Sequence, residues 1–449
     1  MGRKIFKPRY YQHIDKIVDI KDIVSKVKDK EYIKHHSFYP FISYTIKYKK
    51  YSEIIDVDTN HHWKFKERPI KYASHIDRCI YQWYSFNINN MYNKYCINSG
   101  LNNTSIAYRT NLRGMTNIEF SKMAFDFIKQ CKECYVLVSD FTSFFDFIDH
   151  DTLKKNLCKI LNTDKLDDDI YKVYRSMTKY AYIEKDSITN FLIGNQIETT
   201  DSIKLNNSLF DKIKWNEAKK YLKDEIKVNE EKFGIPQGSP LSGIFANVYM
   251  IDFDQSVNDY VKMKNGMYMR YSDDLIIIIP KIEVDSINEI WNTLNKIKLN
   301  YPTLLMNVNK TSGYIYENSS IRSLHECIPG MMNGNNFISY LGFSFDGNYI
   351  KFRDKTLTKF FYKLYRKIDN MLKRENDRIL KGKKKKTKID KHRILKELNI
   401  SSGDSRKFID YVYRAKRVYK GEKYISDFSK KVKNKIFIRF ENNNKHGGN

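Results

Sequence analysis

An α+β fold is predicted by three features of the sequence. Short β-prone runs at Tyr135–Val138, Met267–Arg270 and Leu275–Ile279 are bounded by turn residues. A second hairpin signal, Tyr340 to Phe345 and Tyr349 to Phe352, flanks Asp346, Gly347 and Asn348. Long intervening and following stretches repeat apolar residues at helical spacing. The 449 residues suffice for about three structural units and a sizeable core.

Composition narrows the function classes. Hydrophobic residues make up 41% and aromatics 14%, too apolar for a disordered basic tail. Lys and Arg number 80 against 53 Asp and Glu, and the net charge of +27 asks for a polyanionic partner, nucleic acid or an anionic membrane surface. An AT-rich coding sequence also supplies Lys, Asn, Ile and Tyr, so the charge prompts the idea without proving it.

The longest aliphatic run, Leu275 to Ile279, falls far short of the roughly 20 residues of a membrane span. The start, MGRKIFKPRY, lacks an apolar signal core, and Phe6 stands where a myristoylation motif wants Ser or Thr. A soluble, cytoplasmic protein without a membrane partner is expected. Six scattered cysteines read as free thiols in a reducing compartment. Cys131 and Cys134 form a CxxC pair without the further ligands of a zinc site, and read as flanking a strand start.

In chain order, the first 70 residues read as a basic, partly irregular lead-in. Ser74 and Asp77 resemble a capping box, and Ile76, Ile80, Trp83 and Ile88 keep helical spacing through about Ile97. The strand from Tyr135 ends at Asp140, and FTSFFDFIDHDTLKK turns into a helix. From about Asp164 to Lys232 the pattern is helical, with loops near Asn190 and Asn206. Gly234 to Gly238 is a turn-rich loop, with Ser239 and Pro240 opening a helix through Ile244, Val248 and Ile251. After Arg353 the chain is helical and basic, and the lysine run from Lys381 to Lys388 reads as a solvated interhelical loop.

Asp140 at a strand end and Asp273 and Asp274 at a hairpin tip are each ordinary as solvated turns. Converging at one sheet edge, they repel unless cations neutralise them. Carboxylate oxygens favour Mg²⁺ over zinc, and two such ions about 3.5–4 Å apart suit in-line phosphoryl displacement.

These residues carry a resemblance to reverse transcriptases. VLVSDFTSFFDFIDH resembles motif A, GIPQGSPLSGIFANVYM motif B, and RYSDDLIII motif C with its YxDD signature. LMNVNKT, containing Lys310, resembles motif D, and SYLGFSF the hydrophobic hairpin that follows, all in the family's order. IKYASHIDRCIYQWYS and SIAYRT are similar to fingers segments.

The resemblance implies an RNA-directed DNA polymerase with a right-hand architecture. Its antiparallel palm would carry the YxDD hairpin beside a helical thumb. Residues 1–70 would be an extension, 71–134 and 155–232 the fingers, 135–154 and 233–352 the palm, and 353–449 the thumb.

It further implies that Asp140 and Asp273 hold two Mg²⁺ ions, with Mn²⁺ as substitute, that the Phe141 carbonyl adds a ligand, and that Asp274 supports the metal site. Phe145 matches a steric gate that selects dNTPs. Gln237 and Gly238 would steady the template base or nucleotide, Lys310 would serve as acid for the leaving pyrophosphate, and Arg109 would clamp the triphosphate.

The QGxxxS pattern is intact at Gln237, Gly238 and Ser242, and Ala246, Asn247 and Tyr249 fit an ANxY segment. These features resemble the unassigned and abortive-infection group of bacterial reverse transcriptases, which implies antiphage defence. The implied partners are an RNA template or non-coding RNA, dNTPs, the DNA product and a possible second copy of the chain. A mobile-element enzyme of intron or retron type, or an inactive nucleic-acid binder, is the alternative. FRDKTLTKFFYKLYRK and RKFIDYVYRAKRVYK place Lys and Arg beside Tyr and Phe, suited to phosphate contacts and base stacking.

Overall fold

The computed structural model describes residues 5–6, 9, 11–56, 61–195, 209–210, 215–331, 334–380 and 403–439 apart from 429, 430, 433, 436 and 437. Its strands are β1 (Phe41–Asp56), β2 (His61–Tyr72), β3 (Cys134–Thr142), β4 (Ala181–Glu184), β5 (Lys227–Val228), β6 (Met267–Tyr271) and β7 (Asp274–Pro280). They continue as β8 (Leu305–Met306), β9 (Ser312–Glu317), β10 (Ser320–Ser323), β11 (Ile338–Tyr340), β12 (Phe343–Phe345) and β13 (Ile350–Phe352).

The run expected to be a strand before Asp140 is the middle of the main sheet, whose order is β10-β9-β3-β7-β6, with β8 pairing the end of β3. β3 is antiparallel to both neighbours, with Val136 opposite Ile278 on one side and Tyr314 on the other. Because successive side chains point to opposite faces, the sheet divides two cores. Leu137, Leu275, Ile277 and Ile279 join helices His75–Asn98 and Ser242–Tyr249 in one, while Val136, Ile276 and Ile278 face helix Asn117–Cys131 in the other. Each fully buried Ile or Leu contributes about 1.5–3 kcal/mol.

Helix His75–Asn98 starts where expected, and the Ser74 hydroxyl accepts from the Asp77 N–H at 3.2 Å. The Asp77 carboxylate does not close the capping box. It faces His36 Nε2 at 2.7 Å and accepts from the Tyr39 N–H at 2.8 Å.

Several expectations are corrected. Part of the lead-in is the long β1–β2 hairpin, which crosses the boundary expected at residue 70, and β1 pairs in parallel with β4 at Phe41–Ser43. Asn190 lies inside helix Lys185–Gly194, and the short β4 and β5 interrupt the helical region. Asn206 and the lysine run fall outside the described residues.

The helix after the Gly234–Gly238 loop begins at Ser242, because the Ser239 hydroxyl accepts from Leu241 N–H within a turn of its own. Tyr340–Phe345 is two strands rather than one, folded back at Leu341 and Gly342, both at positive φ. Cys134 opens β3 as expected, and the cysteines are free. No helix among the described residues is long and apolar enough to cross a membrane.

Candidate active site

Register brings the acidic residues together. Asp140 is the last pairing position of β3 against β7, directly opposite Asp274, and Asp273 lies in the intervening β6–β7 turn. The Phe141 N–H donates to the Asp273 carbonyl at 3.2 Å, and the Asn307 N–H donates to the Asp140 carbonyl at 2.9 Å. One backbone junction therefore fixes motif A, the hairpin tip and the loop before Lys310. Ser272, at φ 62, makes the sharp turn that presents Asp273.

The charges at this junction are strained. Asp140 is 9% exposed, and burial raises its carboxyl above the usual range against the pull of Lys310, which forms an ion pair with Oδ2. Asp140 Oδ1 is buried without a hydrogen-bond partner. Asp274 retains solvent contact, yet desolvation by the surrounding protein, followed by the charges of Asp273 and Asp140, pushes it up to about 6.

An orphaned carboxylate oxygen beside two mutually repelling carboxyls fits a hard divalent cation, since no sulfur or imidazole joins them. Among the described residues no three such side chains stand at metal-ligand spacing, and the Lys310 ammonium supplies the positive charge.

Phe145 lies on the turn after β3, partly buried, its ring 5.6 Å from that of Phe144. Its carbonyl accepts from the Ile235 N–H at 2.9 Å, tying it to the Gly234–Gly238 loop. At Gly238, φ is +122° and a Cβ would stand 2.6 Å from the Lys71 carbonyl, so only glycine fits. The Gln237 carbonyl accepts from the Lys71 N–H at 2.8 Å, anchoring this loop to β2.

Arg109 corrects one expectation. It is 9% exposed and its guanidinium donates to Asn93 Oδ1, the Asn102 carbonyl and Oδ1, and the Ser105 carbonyl. Four hydrogen bonds hold it between helix His75–Asn98 and the loop that follows, the setting of a structural residue rather than of a triphosphate clamp. Asn247 is likewise inward, donating to the Ala107 carbonyl at 2.8 Å.

Other contributors escaped the sequence reading. Arg270 and Asp254 are fully buried and joined by two bonds of 2.7 and 2.6 Å, while Arg270 also donates to the Ser272 carbonyl at 2.8 Å and so holds the acidic turn. Tyr268 adds a hydroxyl bond to Asp254 at 2.9 Å. Against the burial that raises both carboxyls, the charge of Lys66 on β2 pulls Asp140 down and that of Arg353 pulls Asp274 down. The Arg immediately before the acidic tip was the available signal for Arg270; its partner on helix Ile251–Met263 carried none.

Residues 64–345 match the family model described as reverse transcriptase (RNA-dependent DNA polymerase). Among solved structures, apo telomerase from Candida tropicalis, truncated from the C-terminal domain, is similar with a TM-score of 0.42 and 14% identity, covering 65% of this chain and 53% of that one. Telomerase from Candida albicans in complex with a TWJ fragment of telomeric RNA is similar with a TM-score of 0.37 and 13% identity, covering 74% and 51%. The chain spans about half the length of these two. No curated protein matches it.

Proposed function

Since the chain belongs to the reverse transcriptase family, whose model matches residues 64–345, we propose that it is an RNA-directed DNA polymerase that adds dNTPs by phosphoryl transfer. The observation that carries this reading is the register pairing of Asp140 with Asp274, with Asp273 in the adjoining turn. Asp140 and Asp273 would hold the metals, the Phe141 carbonyl would add a ligand, and Asp274 would support the site. Two Mg²⁺ ions, or Mn²⁺ in their place, supply when bound the charge that activates the attacking hydroxyl and stabilises the leaving oxygen.

The chain's own residues do the rest. Phe145 underlies the incoming sugar and excludes a 2′-hydroxyl. Gln237 and Gly238 steady the nucleotide and template base. Lys310, released from Asp140, gives its proton to the leaving pyrophosphate.

In this reading the palm is 135–154 and 233–352, the fingers are 71–134 and 155–232 joined by the β1–β2 hairpin, and the thumb follows Arg353. The intact QGxxxS pattern and the ANxY residues support a place in bacterial antiphage defence, in the cytoplasm, on an associated non-coding RNA or other template.

The test uses purified full-length chain with primed RNA, dNTPs and Mg²⁺. DNA synthesis is expected, with loss on chelation and loss in Asp273→Ala while RNA binding persists. Normal polymerisation by Asp273→Ala overturns the metal assignment. Sequencing nucleic acid copurified from phage-infected cells tests the defence role, and random cellular RNA counts against a dedicated partner.

A further inference from the structure

The turn that carries Phe145 is held from outside by a second chain segment. The Lys232 carbonyl accepts from the His150 N–H at 3.0 Å, the Gly234 N–H donates to the Ile148 carbonyl at 2.9 Å, and the Ile235 N–H donates to the Phe145 carbonyl at 2.9 Å. A Cβ at Gly234 would meet the Asp146 carbonyl at 3.0 Å, so the two segments run in close backbone contact. Gln237 then passes to β2 through the Lys71 N–H.

Side chains repeat the same connection. Asp146, the residue after Phe145, feels the Lys71 charge and takes a hydrogen bond from the Gln237 side chain, both pulling its carboxyl down against desolvation that pushes it up. The half-buried Lys71 ammonium lies 4.8 Å from the Tyr182 ring centroid and 5.5 Å from that of Tyr180, and burial pulls its pKa down against the charges of Asp146 and Glu184. The backbone bonds bring strand β2, the turn after β3 and the Gly234–Gly238 loop together at the residue following Phe145, and the Lys71 and Asp146 charges attract one another across that junction.

We propose that Lys71 and Asp146 are positioning residues which, through Gln237 and the adjoining backbone, set the place of Phe145 against the incoming sugar and thereby the discrimination between dNTPs and rNTPs. This rests on the polymerase reading above. Both act by limiting where the aromatic ring and the Gln237 loop sit.

The experiment measures kcat and KM for a dNTP and the matching rNTP on primed RNA, using the full chain and the variants Lys71→Met, Asp146→Asn and Lys71→Arg. In the first two, KM for the dNTP should rise about tenfold with kcat within about threefold, and discrimination against the rNTP should narrow about tenfold. Lys71→Arg should restore most of the discrimination, and the double variant should lose no more than either single one. Folded variants with unchanged discrimination overturn the inference, as does an equal fall in kcat for both nucleotides. Should Asp146→Asn fail to fold, Lys71→Met decides alone. A wild-type chain inert with every nucleotide overturns the polymerase reading and this inference with it, whereas active wild type with indifferent variants sinks the inference only.

Discussion

Lys310 occupies the place beside Asp140 where positive charge is needed, so its removal has a direction that can be read. Lys310→Ala is expected to lower kcat by about 10²-fold, as loss of a general acid does, with a smaller change in dNTP KM; single-turnover kinetics check it. His13 offers a pH test remote from the site. It is fully buried, its Nε2 is 3.2 Å from the Tyr72 carbonyl, and burial pushes its imidazole down to about 3. The folded chain therefore binds fewer protons than the unfolded one below pH 6.5, so this contribution to stability is whole above that value and lost as pH falls toward 3. Asp15, pushed up to about 6 by burial, has the opposite sign: its contribution is whole below 3.8 and lost as pH rises through 6. His13→Gln should make the melting temperature less sensitive to acidification between pH 6.5 and 4, seen in a series of thermal melts.

At the scale of elements, the β6–β7 turn depends on a buried ion pair carried by a neighbouring helix. Arg270→Met strands the Asp254 carboxylate, and a loss of about 3–5 kcal/mol is expected by denaturant titration; replacing Asp254 by Leu as well should recover much of it. The strands and acidic tip of this hairpin were legible because short apolar runs bounded by turn residues have one physical reading. The meeting of Asp140, Asp273 and Asp274 was legible for the same reason, since strand ends and tips fix their place. Arg109 misled because the sequence shows a cation but not the Asn93, Asn102 and Ser105 acceptors that absorb it. The β1–β2 hairpin was missed although Tyr44, Ile46 and Tyr48 alternate with Thr45 and Lys47, because that apolar face is exposed and marks no core. The Tyr340–Phe345 run hid its turn because Leu341 takes a positive φ that Leu rarely adopts.

Over the whole molecule, the charge of +27 divides by function. Along helix Asp354–Leu380, Phe360, Leu364 and Ile368 are buried, while Lys359, Tyr362, Arg366 and Lys373 are exposed. Lys359→Gln, Arg366→Gln and Lys373→Gln together should weaken RNA binding and reduce its logarithmic salt slope by about 0.9 for each phosphate these side chains cease to neutralise, measured by titration at several salt concentrations. The same view gives the β1–β2 hairpin a mechanical meaning. β4 pairs β1 at Phe41–Ser43, and from Tyr44 to Tyr51 β1 pairs with β2, a two-stranded ribbon of roughly 25 Å. Tied at its base to the Gln237 carbonyl through the Lys71 N–H, that ribbon has the form of a lever arm, and a load on its far end would reach the Gln237 loop as torque.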